Sequence, residues 1–145
     1  MNVIIVGGGL FGSLAAKVAE AKGATVTVLD CEEPMAASKC SASLLKPSWL
    51  SALSKSQIEE GMAVLQEYYG LQTLPFDTLL PKPINLTWVD PAKILTFPRT
   101  KARVVSVGNG AVKLENGEKL EGKVLVAAGI FSNRLVEMPS VEALV

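Results

Sequence analysis

The sequence has no histidine and only two cysteines in 145 residues. The missing imidazole excludes Ser-His-Asp and Cys-His catalysis and every histidine-ligated metal site. Chemistry must then come from other side chains or from a bound cofactor, so no metal is expected and catalytic residues stay unassigned. Cys31 and Cys40 are neither a Cys-x-x-Cys redox pair nor spaced as a zinc knuckle, and they read as reduced, packing thiols. Net charge is also absent, since 14 Lys and Arg balance 14 Asp and Glu. No electrostatic footprint for nucleic acid or an acidic membrane follows. No apolar run approaches the ~20 residues of a membrane span. The opening run Met1–Val6 has no basic segment and is followed at once by three glycines, unlike a signal peptide. A cytoplasmic location is the expectation.

What is present suits an ordered globular body of one-domain size: 49% hydrophobic and 19% charged residues. Residues 2–6 are β-branched and apolar without alternation, as in a parallel strand covered on both faces. Leu10, Leu14, Ala15, Val18, Ala19 and Ala21 recur at helical spacing before Gly23, and 24–29 is a second apolar strand ending in Asp30. This predicts a βαβ unit. The serine-rich stretch 31–54 reads as a loop with a short helix. Ser56 and Glu59 predict a capping box for a helix ending at Gly70. Five prolines between 75 and 98 bar a long helix, with 84–89 an edge-type strand and Asp90-Pro91 opening a short helix through Leu95. Strands over 101–107, 111–114 and 119–126 are punctuated by Asn109-Gly110 and Asn116-Gly117. They form an antiparallel excursion that returns to the parallel sheet before Ala128-Gly129. The fold class is α/β, a Rossmann-like dinucleotide-binding domain.

Gly7-x-Gly9-x-x-Gly12 follows the first strand and opens the first helix. Gly7 permits the tight turn, Gly9 lets a pyrophosphate approach the backbone, and Gly12 lets the helix pack on the sheet. The helix N-terminus offers free N–H groups to phosphates. Asp30, 18 residues after Gly12, is placed to accept hydrogen bonds from a ribose diol. Its carboxylate would repel a 2′-phosphate, which disfavours NADP, whereas the glycines alone leave FAD and NAD open.

Five segments settle on one resemblance: VIIVGGGLFGSLAA (3–16), ATVTVLD (24–30), AASKCSASLLKPSW (36–49), RVVSVGNGAVKLENGE (103–118) and KVLVAAGIFSNRLV (123–136). With these the chain resembles the FAD-dependent oxidoreductases of the D-amino-acid oxidase, glycine oxidase and sarcosine oxidase superfamily, well at its two ends and poorly over 50–98. The resemblance implies FAD as cofactor. It puts Gly7, Gly9, Leu10, Phe11 and Gly12 around the pyrophosphate, Asp30 at the adenosine ribose and Cys31 on the adenine side. Ser38 and Lys39 would lie near the phosphates and ribityl chain, and Ser41, Ala42, Ser43 and Leu44 would run past the flavin ring. The backbone of Val104 would touch adenine, and Ala127, Ala128 and Gly129 would pass close to the cofactor. Without FAD, Ser38–Ser43 reads as a helix cap and loop, and Val104 and Ala127 as apolar core.

Members of that superfamily are longer, with a substrate-binding domain and a C-terminal arginine and tyrosine that have no counterpart here. The expectation is therefore a single FAD-binding domain over 1–145, with 71–98 a reduced remnant of the substrate-domain insertion. The implied activity is oxidation of an amine or amino acid by hydride transfer to flavin N5. A second copy or a partner subunit would cover the flavin ring. The alternatives are a non-catalytic flavin- or nucleotide-binding subunit and an NAD-binding reductase fragment.

Overall fold

In chain order the elements are β1 (Asn2–Val6), α1 (Leu10–Ala21), β2 (Thr25–Asp30), α2 (Ala37–Cys40), β3 (Leu44–Leu45), α3 (Lys55–Tyr69), β4 (Gln72–Phe76) and β5 (Ile84–Trp88). They continue as α4 (Pro91–Ile94), β6 (Thr100–Lys101), β7 (Val104–Gly108), β8 (Ala111–Leu114), β9 (Lys119–Glu121), β10 (Lys123–Val126) and a 3-10 helix over Gly129–Arg134. The structure is a computed structural model that describes residues 1–34, 36–40, 44–45, 53–76 and 84–137. The chain divides into two compact units, Met1–Lys39 with Leu95–Val145, and Cys40–Ile94.

The first unit is built on a parallel sheet ordered β10-β1-β2-β6. β1 sits inside it, which is why its residues are apolar on consecutive positions. Ile5 and Val28 face α1 and pack with its Ala16. Ile4, Val6 and Leu29 face the other way and meet Val112 and Leu114 of the antiparallel sheet β7-β8-β9. Helix, parallel sheet and antiparallel sheet are thus three layers around two apolar seams. This is the α/β Rossmann-like arrangement that the sequence pattern predicts.

Two predicted strands are each divided in two. The segment 101–107 leaves the parallel sheet after Lys101, where Ala102 N donates to Asp30 O at 3.0 Å, and resumes as β7 with a register shift between Val104 and Ser106. The segment 119–126 breaks at Gly122. A Cβ there would stand 3.1 Å from Asn2 O, so glycine eases the close pass of the chain by β1 as it crosses between sheets. Periodicity carries no sign of either break, because both halves are strand.

In the second unit the sheet order is β3-β5-β4. β5 is therefore the middle strand, not the edge strand predicted from its prolines. Pro81, Pro83 and Pro91 all lie outside Ile84–Trp88 and leave its amides free for both neighbours. Pro75 lies within β4, at a sheet edge, where a missing N–H is tolerated. The cap of α3 also differs from expectation. Ser54, not Ser56, is the N-cap: Gln57 N donates to Ser54 Oγ at 3.3 Å and Ser54 N donates to Gln57 Oε1 at 2.8 Å. Both registers satisfy the capping-box pattern, but the earlier one adds two helical residues and pairs Lys55 with Glu59 at i,i+4. Near its C-terminal end Tyr69 is buried, and burial pushes its phenol from 10.0 up to about 12. As predicted, Asp90 caps the short α4, accepting from Ala92 N at 2.9 Å.

Candidate functional site

The site forms where β1 ends and α1 begins. Gly7 has φ +104°, and a Cβ on it would lie 2.7 Å from Ala127 C and 2.9 Å from Ala128 Cα. The end of β10 therefore runs directly against the turn, held by Ala127 N donating to Val6 O at 2.7 Å. A Cβ on Gly12 would lie 2.9 Å from Gly7 C and 3.4 Å from Ile5 Cγ2. These two glycines are demanded by backbone packed on backbone. Gly9 is different: its backbone is extended (φ −71°, ψ −165°), and a Cβ would meet only Ser38 Oγ at 2.8 Å and Ser38 Cβ at 3.6 Å.

Gly9 is the N-cap of α1 and Ser13 N to Gly9 O, 2.9 Å, is the first intrahelical bond. The amides of Leu10, Phe11 and Gly12 consequently have no partner within the helix. One of them, Leu10 N, donates to Ser38 Oγ at 2.9 Å. The adjoining Gly8 is held through both of its peptide groups: its N–H donates to Asp30 Oδ2 at 2.5 Å and its carbonyl accepts from Ser13 Oγ at 3.0 Å. Asp30 Oδ1 accepts from Glu32 N, also at 2.5 Å. A Cβ on Gly8 would stand 2.9 Å from Asp30 Oδ2, so the middle glycine is what lets the carboxylate reach the turn.

Past Asp30, a cleft of about 470 Å³ is lined by Cys31, Lys101, Ala102, Arg103, Leu114, Glu115 and Asn116. Two ion pairs flank it, Lys101–Glu32 at 3.4 Å and Arg103–Glu33 at 3.1 Å.

The structure thus brings Gly7, Gly9, Leu10, Gly12, Asp30, Ser38, Ala127 and Ala128 together at one turn. Phe11, on the same turn, is 76% exposed, and Gly129 opens the 3-10 helix at φ +58°. Cys31 lines the neighbouring cleft. Val104 is partly buried against the apolar cluster that includes Val112 and Leu114. Lys39 is turned to the loop after β2, its Nζ donating to Glu33 O at 3.2 Å. Leu44 belongs to β3 of the second unit, paired with Trp88, and Ser41, Ala42 and Ser43 lie outside the described residues. Sequence reasoning passed over Gly8, Ser13 and Arg99. The first two carry a signal, since Gly8 lies within the glycine motif and Ser13 directly follows it. Arg99 carries none, being 91 residues from the Gly8 carbonyl to which its NH1 donates at 3.3 Å.

A dinucleotide fits this arrangement. An orphaned helix N-terminus beside a Cβ-free face suits a diphosphate. The Ser38 hydroxyl can accept from Leu10 N and still donate onward. Each Asp30 oxygen retains a lone pair for a ribose hydroxyl. Among the described residues, no group of three metal-ligating side chains could hold a metal ion. No helix among them is long and apolar enough to cross a membrane.

A family model described as FAD dependent oxidoreductase matches residues 2–93, well over half of the chain. The matched stretch runs through 50–93, where the resemblance in sequence is poor. No curated protein sequence matches the chain. Among solved structures, glycine oxidase from Bacillus cereus superposes with a TM-score of 0.59 at 17% identity, over 92% of this chain and 56% of its own. Pseudomonas aeruginosa PqsL, in complex with 2-aminobenzoylacetate, gives 0.58 at 19% identity, over 100% and 48%. Iminodiacetate oxidase from Chelativorans gives 0.54 at 13% identity, over 92% and 56%. At such identities the likeness is one of fold, and the chain spans about half the length of these structures.

Proposed function

The chain belongs to the FAD dependent oxidoreductase family, and from that premise we propose that it binds FAD at the Gly7–Gly12 turn and oxidises an amine or amino acid. The observation that carries this reading is the convergence of three separate segments on the N-terminus of α1: the glycine turn, Asp30 and Ser38. The amides of Phe11 and Gly12 and the Ser38 hydroxyl, itself held by Leu10 N, hold the diphosphate, with Gly7 and Gly9 giving it access to the backbone. Asp30 holds the adenosine ribose. The cleft beside Cys31 takes the adenine, with the backbone of Val104 at its edge. Ala127, Ala128 and Gly129 support the turn from the end of β10, and Lys39, Ser41, Ala42, Ser43 and Leu44 are assigned to the ribityl and flavin end. Bound FAD supplies the hydride acceptor, flavin N5.

The amine substrate is favoured by the fold likeness to glycine oxidase and iminodiacetate oxidase. A partner subunit or a second copy covers the flavin ring, which orients substrate and excludes water. The working location is the cytoplasm. The test is a visible absorbance spectrum of the purified protein, before and after incubation with FAD and removal of the excess, followed by anaerobic addition of amines and amino acids. A retained flavin spectrum that bleaches with one of them is the expected result. Retained flavin that no amine bleaches would reduce the protein to a binding module. Failure to take up FAD while binding NAD would overturn the cofactor assignment for this chain.

A further inference from the structure

Arg99 follows α4 and reaches back to the glycine turn. NH2 donates to Leu95 O at 2.8 Å and NH1 to Gly8 O at 3.3 Å. Its Cδ would stand 3.3 Å from a Cβ on Gly8, whose other flank is Asp30 Oδ2 at 2.9 Å. The residue is half-buried. Among the described residues, none of the ion pairs Lys55–Glu59, Lys101–Glu32, Arg103–Glu33 and Lys119–Glu121 involves Arg99, and the Asp30 carboxylate, on the other flank of Gly8, makes no ion pair with its guanidinium. A guanidinium is charged at every accessible pH and has five donors, and here both recorded acceptors are neutral carbonyls. Holding a cation partly out of water with no anion in direct contact is unfavourable, and the Asp30 carboxylate nearby is spent on the amides of Gly8 and Glu32. A diphosphate at the adjoining N-terminus of α1 would supply that anion.

We propose that Arg99 is the positioning and charge-matching residue of the dinucleotide site. Its tether to Gly8 O fixes the Gly8–Gly9 peptide, adjoining the Gly8 N–H that meets Asp30, and its charge favours a ligand that brings a diphosphate to the turn. The proposal rests on the FAD reading above. It differs from a purely structural role in one respect: charge, not the hydrogen bond to Gly8, sets the cofactor affinity.

Two variants separate these roles. Arg99→Lys keeps the charge but loses the two-point tether, whereas Arg99→Gln keeps one donor for Gly8 O and loses the charge. The FAD dissociation constant is read by quenching of flavin fluorescence, and the thermal midpoint is read without FAD. Arg99→Lys is expected within about threefold of the wild type, and Arg99→Gln weaker by roughly ten- to a hundredfold, the range of a charge-assisted contact. Their thermal midpoints should be alike. FAD affinity that falls equally in both variants, or in neither, overturns the proposal. A third arm needs no variant: on wild-type protein, ADP should displace FAD at a far lower concentration than adenosine, and equal potency overturns a diphosphate partner for Arg99. Wild-type protein that takes up no FAD overturns the parent reading, an outcome distinct from intact binding in all variants.

Discussion

Gly9 and Gly12 stand three residues apart in one motif, yet the structure assigns them opposite costs. A Cβ on Gly12 would press on the Gly7 peptide, 2.9 Å from its carbon, and on Ile5 Cγ2 at 3.4 Å. Both neighbours are fixed, one as backbone and the other as a fully buried strand residue. In Gly12→Ala, relief requires α1 to lift from the sheet, loosening the packing of Ala16 on Ile5 and Val28. Overpacking of this kind costs about 3 kcal/mol, which for a chain of this size lowers the melting midpoint by roughly 10 °C. In Gly9→Val the backbone is already extended, and the new Cβ meets only the rotatable Ser38 hydroxymethyl, at 2.8 Å from its oxygen. The loss is one hydrogen bond, Leu10 N to Ser38 Oγ, and a favourable N-cap, together about 1 kcal/mol. That variant should melt within a few degrees of the wild type and yet take up no FAD, since the branched side chain occupies the approach to the helix amides. The assay is a thermal melt without ligand beside an FAD titration for both proteins. Equal destabilisation by the two substitutions, or FAD retained by Gly9→Val, would refute the division of roles.

Three further outcomes are expected. Asp30→Ala removes acceptors from Gly8 N and Glu32 N and a ribose contact, so FAD should bind roughly 10- to 100-fold more weakly; unchanged affinity in a titration would make Asp30 a bystander. Ser54→Ala should cost about 1 kcal/mol in urea unfolding while Ser56→Ala is nearly neutral, and the opposite order would return the cap of α3 to Ser56. The folded state holds the Tyr69 proton more tightly than the unfolded chain does, with the phenol raised from 10.0 to about 12. Its contribution is complete below pH 10 and lost as pH rises toward 12, by roughly 2–3 kcal/mol. Tyr69→Phe should lack that part of the decline between pH 10 and 12, and parallel curves for the two proteins would count against it.

Local pattern carried much of this molecule. The apolar run 2–6, the glycine spacing and the acid at Asp30 specify a strand, a tight turn and a helix because each depends on residues within a few positions of one another. The Asn-Gly turns specify the antiparallel excursion for the same reason. Residue type alone excluded histidine chemistry, and the quoted segments carried the family.

Choices between locally equivalent solutions were decided only by tertiary structure. Strand periodicity is identical on either side of Gly122, so the close approach to Asn2 of β1 selected the break. β5 became a central strand because β3 and β4 both pair with it, a fact of pairing that its own residues do not encode. Arg99 belongs to the site because the chain after α4 returns beside β2, bringing its guanidinium within hydrogen-bonding reach of Gly8. Hydrogen-bond chemistry acts across space, and no spacing within the sequence records a meeting of residues 91 positions apart.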